Sequence, residues 1–279
     1  MTDRIVLTAL YVPADRPDRV AKALAAGADQ VIVDLEDAVA PSAKEAARVA
    51  LAEALAGAAP GAPPVQVRVN ARGSAWHEDD LAAVAALTTD VAVRLPKTAS
   101  PDDVAAVRGL APGRRIHALI ESAIGVERAF DIASSGVSTI ALGEADLRSQ
   151  LGLPSGSDEG LQWIRSRVVN AAAAAGLPAP KMSAYADVRD AEGLAGSCAA
   201  GRALGFLGRT AIHPSQLPVI ERAFRPSAAE AERAREIVSR VGSAAADGSG
   251  TVVLEDGTFL DVAMVDAARR TVALAERFA

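Results

Sequence analysis

The sequence predicts an α/β fold, a (β/α)8 TIM barrel with a C-terminal helix-hairpin-helix appendage. Three observations carry this. Strand-length apolar runs alternate with helix-length segments, and about eight strands can be counted. The length of 279 residues suits one such barrel with an extension. The main alternative, a doubly wound open sheet, lacks its glycine-rich phosphate loop, because Tyr11-Val12-Pro13-Ala14-Asp15 follows the first strand instead. No internal repeat at 20–50 residues is visible.

The elements follow in order. Ile5 to Tyr11 reads as a strand, then Pro17 to Ala26 as a helix with Pro in its first turn and Gly27 at its end. Val31 to Asp34 is a short buried strand, followed by an Ala-, Glu- and Arg-rich helix from Ala43 to Ala56. Val65–Val69 alternates as a strand before a helix from Trp76 to Leu87. Val91–Leu95 is a strand, and Pro101 to Arg108 is a helix opened by Ser100. Strands at 116–120 and 138–142 flank one short helix, Ile124 to Ala133. Gly160 to Ala175 is a long helix, Ala179–Met182 a weak strand, Asp190 to Leu204 a helix and Gly208–Ile212 a strand before His213-Pro214. These elements make residues 1–226 the barrel, or catalytic, domain.

Residues 227–279 form the C-terminal extension. Ala228 to Val241 is a charged helix, Ser243 to Gly250 a small, polar linker, and Thr251–Leu254 with Thr258–Leu260 a hairpin turning at Asp256-Gly257. A last helix runs from Val262 to Phe278. The extension is too small to enclose its own core, so it must pack on the barrel or on another subunit.

Composition narrows the function. Half the residues are hydrophobic but only 3% are aromatic, so the core rests on Ala, Val, Leu and Ile, and stacking on nucleic-acid bases is disfavoured. A net charge of −6 argues against nucleic acid or an anionic membrane as general partner. The single cysteine, Cys198, leaves no intrachain disulfide and fits a small core residue in a reducing compartment. The start carries no signal-peptide pattern and no apolar run reaches membrane-spanning length, so a cytoplasmic location is expected.

The strand ends carry the chemistry. Strand, helix, strand makes 116–120 and 138–142 parallel neighbours, so Glu121 and Asp146 emerge at one end of the sheet. Two converging carboxylates suit a hard cation such as Mg2+, with Mn2+ as substitute, and metal-assisted chemistry on an oxygen-rich small molecule. Singly, each also fits a helix cap or the start of a loop. Asp34-Leu35-Glu36-Asp37, Arg68-Val69-Asn70 and Pro96-Lys97 follow the second, third and fourth strands. Arg68 has a fork that matches a substrate carboxylate bidentately, or else it pairs with Glu36 or Asp37. Lys97 is a Schiff-base candidate, an ion pair with the acidic ring being the simpler reading. His213 reads as a local structural residue, His77 as a loop residue and His117 as a strand residue, the last two without a role.

Several stretches together resemble the citrate lyase beta-subunit-like family, within the 2-keto-3-deoxyacid aldolases and malyl- and citramalyl-CoA lyases. They are LYVPADRPDRVAKAL (10–24), VIVDLEDAVAPSAK (31–44), VRVNARGSAW (67–76), VRLPK (93–97), ALIESAIGV (118–126), ALGEADL (141–147), RSRVVNAAAAAGLPAP (165–180) and LGRTAIHPSQL (207–217). The resemblance implies a barrel that uses Mg2+ to make or break carbon–carbon bonds of acyl-CoA thioesters. It implies Glu121 and Asp146 as metal ligands, Arg68 on the substrate carboxylate, and Glu36 and Asp37 behind the ligands. Arg16 and Lys22 look placed for the phosphates of coenzyme A. It also implies that a tail aspartate, here Asp261, reaches the site of a neighbouring subunit; the residues alone read Asp261 as the N-cap of the last helix. Two places depart from the family pattern: Ala14-Asp15 stands where Gly-Asn is usual, and Lys181-Met182-Ser183-Ala184-Tyr185 replaces an Asp-Gly-Val pattern.

The reading is a Mg2+-dependent carbon–carbon lyase that cleaves or forms a malyl- or citramalyl-CoA-like 3-hydroxyacyl-CoA, giving acyl-CoA and a 2-oxoacid, glyoxylate or pyruvate. A homo-oligomer is expected, with a trimer favoured. The alternatives are a CoA-independent 2-keto acid aldolase and a noncatalytic subunit that binds CoA or a 2-oxoacid.

Overall fold

Seven parallel strands make the main sheet of the computed structural model, which describes residues 5–56, 61–154, 156–246, 251–253 and 257–278. β1 (Thr8–Pro13), β2 (Gln30–Asp34), β3 (Val65–Arg68), β4 (Val91–Leu95), β5 (Ile116–Ile120), β6 (Thr139–Leu142) and β7 (Arg209–Ala211) lie in the order β6-β5-β4-β3-β2-β1-β7. Every residue of β2, β4 and β5 is buried, as a parallel sheet covered on both faces requires. The weak strand expected at Ala179–Met182 shrinks to one parallel bridge, Met182 to Arg209. Pro178 and Pro180 carry no N–H, so that stretch cannot donate a full ladder.

Helices follow the strands. α1 (Pro17–Leu24) has Pro at its first position, and the chain leaves it through Gly27 in the left-handed region (φ 82°). α2 (Lys44–Ala56), α3 (His77–Ala86) and α4 (Pro101–Leu110) come next. At the start of α4, Asp103 accepts from the Ser100 N–H (2.9 Å), half of a capping box. The single helix expected at 124–133 is instead α5 (Ala123–Glu127) and α6 (Ala129–Ala133), broken at Arg128. α7 (Glu144–Leu151) was not expected; it starts directly at the end of β6 with no side-chain cap to announce it, and ends at left-handed Gly152. α8 (Glu159–Ala174) buries Leu161, Ile164, Val168, Ala171 and Ala172, one stripe at helical spacing. α9 (Ala191–Ala203) holds buried Cys198, and α10 (Leu217–Phe224), also unexpected, follows β7.

The chain divides into two compact units between Ala223 and Phe224, with Ile5 belonging to the second. The second unit contains α11 (Ala228–Ala246), the antiparallel hairpin of β8 (Thr251–Val253) and β9 (Phe259–Asp261), and α12 (Val262–Glu276). Val241, Leu260 and Val265 form its core, with Ile237 and Val238 against them. Residues 243–246, expected as linker, continue α11, since alanine favours helix; 247–250, Leu254 and Asp256 lie outside the described residues.

The loops after β2 and β3 are tied together beneath the surface. Asp80 of α3, fully buried, accepts from the Asn70 backbone N–H (2.8 Å), the Asn70 amide (2.6 Å) and Arg48 Nε (2.9 Å). Asn70 also donates to Leu35 O (2.9 Å), where Lys44 Nζ donates as well (2.9 Å). Asp80→Ala leaves a buried N–H and a guanidinium without their acceptor. It should lower the unfolding free energy by about 2–4 kcal/mol in urea titrations.

Candidate active site

The carboxyl ends of β2 to β6 converge on a cavity of about 360 Å3. Asp34, Arg68, Arg94, Glu121 and Asp146 all line it. Arg68 ends β3, and its planar fork is met by Asp34 at the end of β2: Nε donates to Oδ1 (2.7 Å) and Nη2 to Oδ2 (2.6 Å). Nη1 lies 3.1 Å from Glu36 Oε2 and donates to Asp37 Oδ2 (3.3 Å). Asp34 in turn accepts from the Glu36 and Ala38 backbone N–H groups (2.9 and 3.1 Å), so one carboxylate shapes the loop and aims the arginine. Burial opposes the Arg68 charge, but the Asp34 hydrogen bonds and charge outweigh it and raise its pKa. Sequence reasoning named Glu36 and Asp37 as possible partners but missed Asp34. The matching signal is that Asp34 and Arg68 are Cα partners across β2 and β3. Because Asp34 takes one edge of the fork and Asp37 a third donor, two of the five N–H donors remain. What Arg68 has left for a substrate oxygen is thus one donor on Nη1 and one on Nη2, its Nε edge being held by Asp34.

Glu121 follows β5 and is buried. Its Oε1 accepts from the Lys97 backbone N–H (2.6 Å). Lys97 holds a left-handed conformation (φ 49°), the one non-glycine residue with positive φ among those described, so backbone strain is localised at this contact. On its other side Glu121 lies against Gly143, where an added Cβ would stand 2.5 Å from Oε2. Burial, then the charges of Glu36 and Asp146, push the Glu121 carboxyl up to about 7, against the pull of the Lys97 N–H and Arg68. Asp146 lies in the first turn of α7, not in a loop. That helix is pinned by Glu144, whose carboxylate takes a bidentate pair from Arg165 of α8 (2.8 and 2.7 Å), both residues being buried. Neither residue of that anchor was picked out from the sequence.

Lys97 Nζ sits among the acids, 2.7 Å from Glu36 Oε1 and 3.8 Å from both Asp37 and Asp146. Burial lowers its pKa, but Glu36, Asp37 and Glu121 raise it further, so the amine stays an ammonium, as the ion-pair reading expects. His213 is held locally by Ser215 (Nδ1 to Oγ, 2.8 Å). His77 is not a loop residue: it is the buried first residue of α3, with Nδ1 2.7 Å from Asn70 O. Arg16 pairs with Asp18 at the surface (3.0 Å), and neither Arg16 nor Lys22 lines the cavity. In the second unit, Asp261 caps α12, its Oδ1 accepting from the Met264 N–H (3.2 Å).

A parallel sheet with a carboxylate-rich cleft at the carboxyl ends of its strands has the layout in which α/β enzymes place their sites. The chain belongs to the HpcH/HpaI aldolase/citrate lyase family, whose profile matches residues 7–214. A (3S)-malyl-CoA thioesterase of Cereibacter sphaeroides is 36% identical over 97% of this chain and 94% of its own. The citrate lyase subunit beta of Escherichia coli is 34% identical over 96% and 92%. Among solved structures, CitE from Mycobacterium tuberculosis in complex with magnesium, acetoacetate and coenzyme A matches with a TM-score of 0.83 and 34% identity, covering 98% of both chains.

The donor set fits a magnesium ion. Among the described residues no three His, Cys, Asp or Glu gather as a metal cage. Mg2+ does not need one, since it takes one or two carboxylates and keeps water and substrate oxygens. Glu121 meets that requirement as a buried carboxylate raised by burial and then by the charge of Glu36, with no hydrogen-bond donor to Oε2 among the described residues. No helix among the described residues is long and apolar enough to cross a membrane.

His117, on β5 below Glu121, is buried with Nδ1 2.7 Å from Thr139 Oγ1. Burial, then the charge of Arg94, holds its pKa down at about 3, below the usual 6.5. A depressed folded-state pKa contributes stability above about 6.5, lost as pH falls toward 3. Thermal unfolding against pH should therefore show a shallower acid limb between those values in His117→Gln than in the parent.

Proposed function

We propose that this chain is a Mg2+-dependent carbon–carbon lyase that splits or forms a 3-hydroxyacyl-CoA of the malyl- or citramalyl-CoA type, with a 2-oxoacid as the small partner. One observation carries the reading: Glu121, buried and raised to about 7, shares a cavity with Asp146 and with Arg68 fixed by Asp34. The sheet is read as a full barrel, its missing stave supplied by residues 180–182.

Glu121 and Asp146 would hold the cation. When bound, Mg2+ supplies Lewis-acid polarisation of the oxoacid carbonyl and offsets its carboxylate. Arg68 offers its remaining N–H donors to a substrate oxygen that gains negative charge, in a position set beforehand by Asp34. Glu36 and Asp37 hold Lys97 and Arg68 and so keep the acidic ring in place. In cleavage the 3-hydroxyl loses its proton to water, its oxygen becomes the carbonyl of the 2-oxoacid as the C2–C3 bond breaks, and the electron pair of that bond passes to the thioester as an enolate. Protonation of the α-carbon completes the acyl-CoA. Asp261 is assigned that proton transfer, supplying it in cleavage and removing it in condensation. Arg16 and Lys22 are assigned to the phosphates of coenzyme A. Support comes from the mycobacterial relative bound to magnesium, acetoacetate and coenzyme A. A second reading, hydrolysis of the thioester, is favoured by the relatives named malyl-CoA thioesterase.

A panel of CoA thioesters with Mg2+ separates the two, because a lyase releases 2-oxoacid with the thioester intact and a hydrolase releases free thiol. Glu121→Gln and exhaustive chelation should each reduce oxoacid release by at least about 10²–10³, the scale of losing one preorganised charge. Full activity after either treatment would sink the metal reading.

Asp261 is proposed to serve the site of a neighbouring chain in a homo-oligomer, a trimer being favoured, with residues 227–279 as the element that packs across. Asp261→Asn and Glu121→Gln proteins, each inactive, should regain partial activity when dissociated and reassembled together. Confirmed mixed oligomers without recovery would show that each site is built within one chain.

A further inference from the structure

The two residues assigned to the cation are set relative to each other by one junction of the backbone. Gly143 follows β6 and lies against the Glu121 carboxylate, and Glu144 opens α7, whose first turn carries Asp146. The Asp146 side chain has little support of its own. It is 42% exposed, and Lys97 Nζ stands 3.8 Å away. Among the described residues no hydrogen bond reaches its carboxylate. Where Asp146 stands relative to Glu121 therefore depends on how α7 starts.

A helix start needs acceptors for its first N–H groups, and the usual one is a Ser, Thr, Asp or Asn side chain at the N-cap. α7 cannot use one. Its N-cap is Gly143, where a Cβ would stand 2.5 Å from Glu121 Oε2 and 2.7 Å from Glu121 Cβ. The acceptor comes from elsewhere: Ser183, 39 residues further on, takes the Glu144 N–H on its Oγ (3.1 Å). Ser183 is itself held in place. Its carbonyl accepts from Nε of buried Arg209 (2.8 Å). Its neighbour Met182 donates to Gly208 O and accepts from the Thr210 N–H, both at 3.0 Å. Gln216 Nε2 donates to Tyr185 O (2.8 Å) on the other side. The hydroxyl lies within residues 181–185, a stretch that departs from the family pattern.

We propose that Ser183 is a positioning residue that caps α7 from a remote strand end and so fixes Asp146 at metal-binding spacing from Glu121. The inference rests on the metal reading of Glu121 and Asp146. The Glu144–Arg165 pair does not duplicate it, because that pair holds the Glu144 side chain and gives its N–H no acceptor. Without the hydroxyl, the Glu144 N–H loses its acceptor and the first turn of α7 opens part of the time. Only the fraction of molecules with Asp146 in place then binds the cation, which weakens the apparent affinity.

The test compares Ser183→Thr with Ser183→Val in the full chain, since Thr and Val share a shape and differ in the hydroxyl. Calorimetric titration with Mg2+ alone should show binding about 3- to 30-fold weaker in Ser183→Val than in Ser183→Thr, the weight of one helix cap. Ser183→Thr should stay close to the parent. In the lyase assay, Ser183→Val should need more Mg2+ for half-maximal rate, and saturating Mg2+ should return its kcat to that of Ser183→Thr with the oxoacid KM unmoved. Equal Mg2+ affinity in the two variants overturns the proposal. A raised oxoacid KM with unmoved Mg2+ affinity also overturns it, because the hydroxyl then touches substrate. So does a lower melting temperature in Ser183→Val with unmoved Mg2+ affinity, which marks the hydroxyl as structural. If the parent binds no Mg2+, the metal reading has failed, and amide hydrogen exchange at Glu144 reads the cap by itself. Faster exchange there in Ser183→Val than in Ser183→Thr then upholds the remote cap alone, and equal exchange overturns it.

Discussion

Burial of like charges at one end of the sheet is the constraint on which the rest of this site depends. Asp34, Glu36 and Glu121 are each no more than 6% exposed, and carboxylates held so close in a poorly solvated place repel one another. The protein answers with two cations of different kind. Arg68 meets Asp34 edge to edge, a geometry that a planar fork allows and an ammonium does not. Lys97 acts as a point charge on a flexible stem, touching Glu36 and standing equally far from Asp37 and Asp146. Glu121 is left with a backbone N–H and a glycine face. Its raised pKa reflects burial first, and after that the negative charge of Glu36 and Asp146.

The backbone serves this arrangement in two places. Lys97 adopts a conformation disfavoured for any residue with a side chain, and its N–H is what reaches Glu121. Gly143 has an ordinary extended backbone, so its lack of a side chain is explained by contact and not by conformation: a Cβ there would collide with the Glu121 carboxylate. Both features belong to loops that follow strands; Gly143 adjoins the buried Glu144–Arg165 anchor, and the neighbouring loops after β2 and β3 are held by Asp80 with Asn70. A site assembled from strand ends needs such anchors, because each loop would otherwise move independently.

Much of this was legible in the sequence, and for a physical reason. Strand and helix alternation is a local pattern, so β1 to β7 and the helices α1 to α4, α8 and α9 were found within a few residues of their observed bounds. Knowing that strands are parallel also places their ends together, and that is why Arg68, Glu121 and Asp146 were correctly expected at one cavity. Partner choice was not legible. Asp34, Glu36 and Asp37 lie within four residues, and which of them takes the arginine fork depends on register between strands. Of the two unexpected helices, α7 lacks a side-chain cap to announce its start, and the proline-flanked stretch before Met182 hid how little ladder it forms.

The least legible feature was the imbalance of positive charge. Arg94 sits in a run, Val91-Ala92-Val93-Arg94-Leu95, that reads as an ordinary buried strand with one polar interruption. Sequence alone gives no way to know whether such an arginine is matched by a carboxylate from another strand. The contrast with Arg68, its register neighbour, makes the difference visible: the same ring of Tyr11 supports both, yet three carboxylates attend one and none attends the other. Cation–π contact with one shared ring is far too weak to offset burial of a full charge. The cavity thus brings the carboxylates of Asp37, Glu121 and Asp146 together with a guanidinium, Arg94, that no carboxylate among the described residues matches.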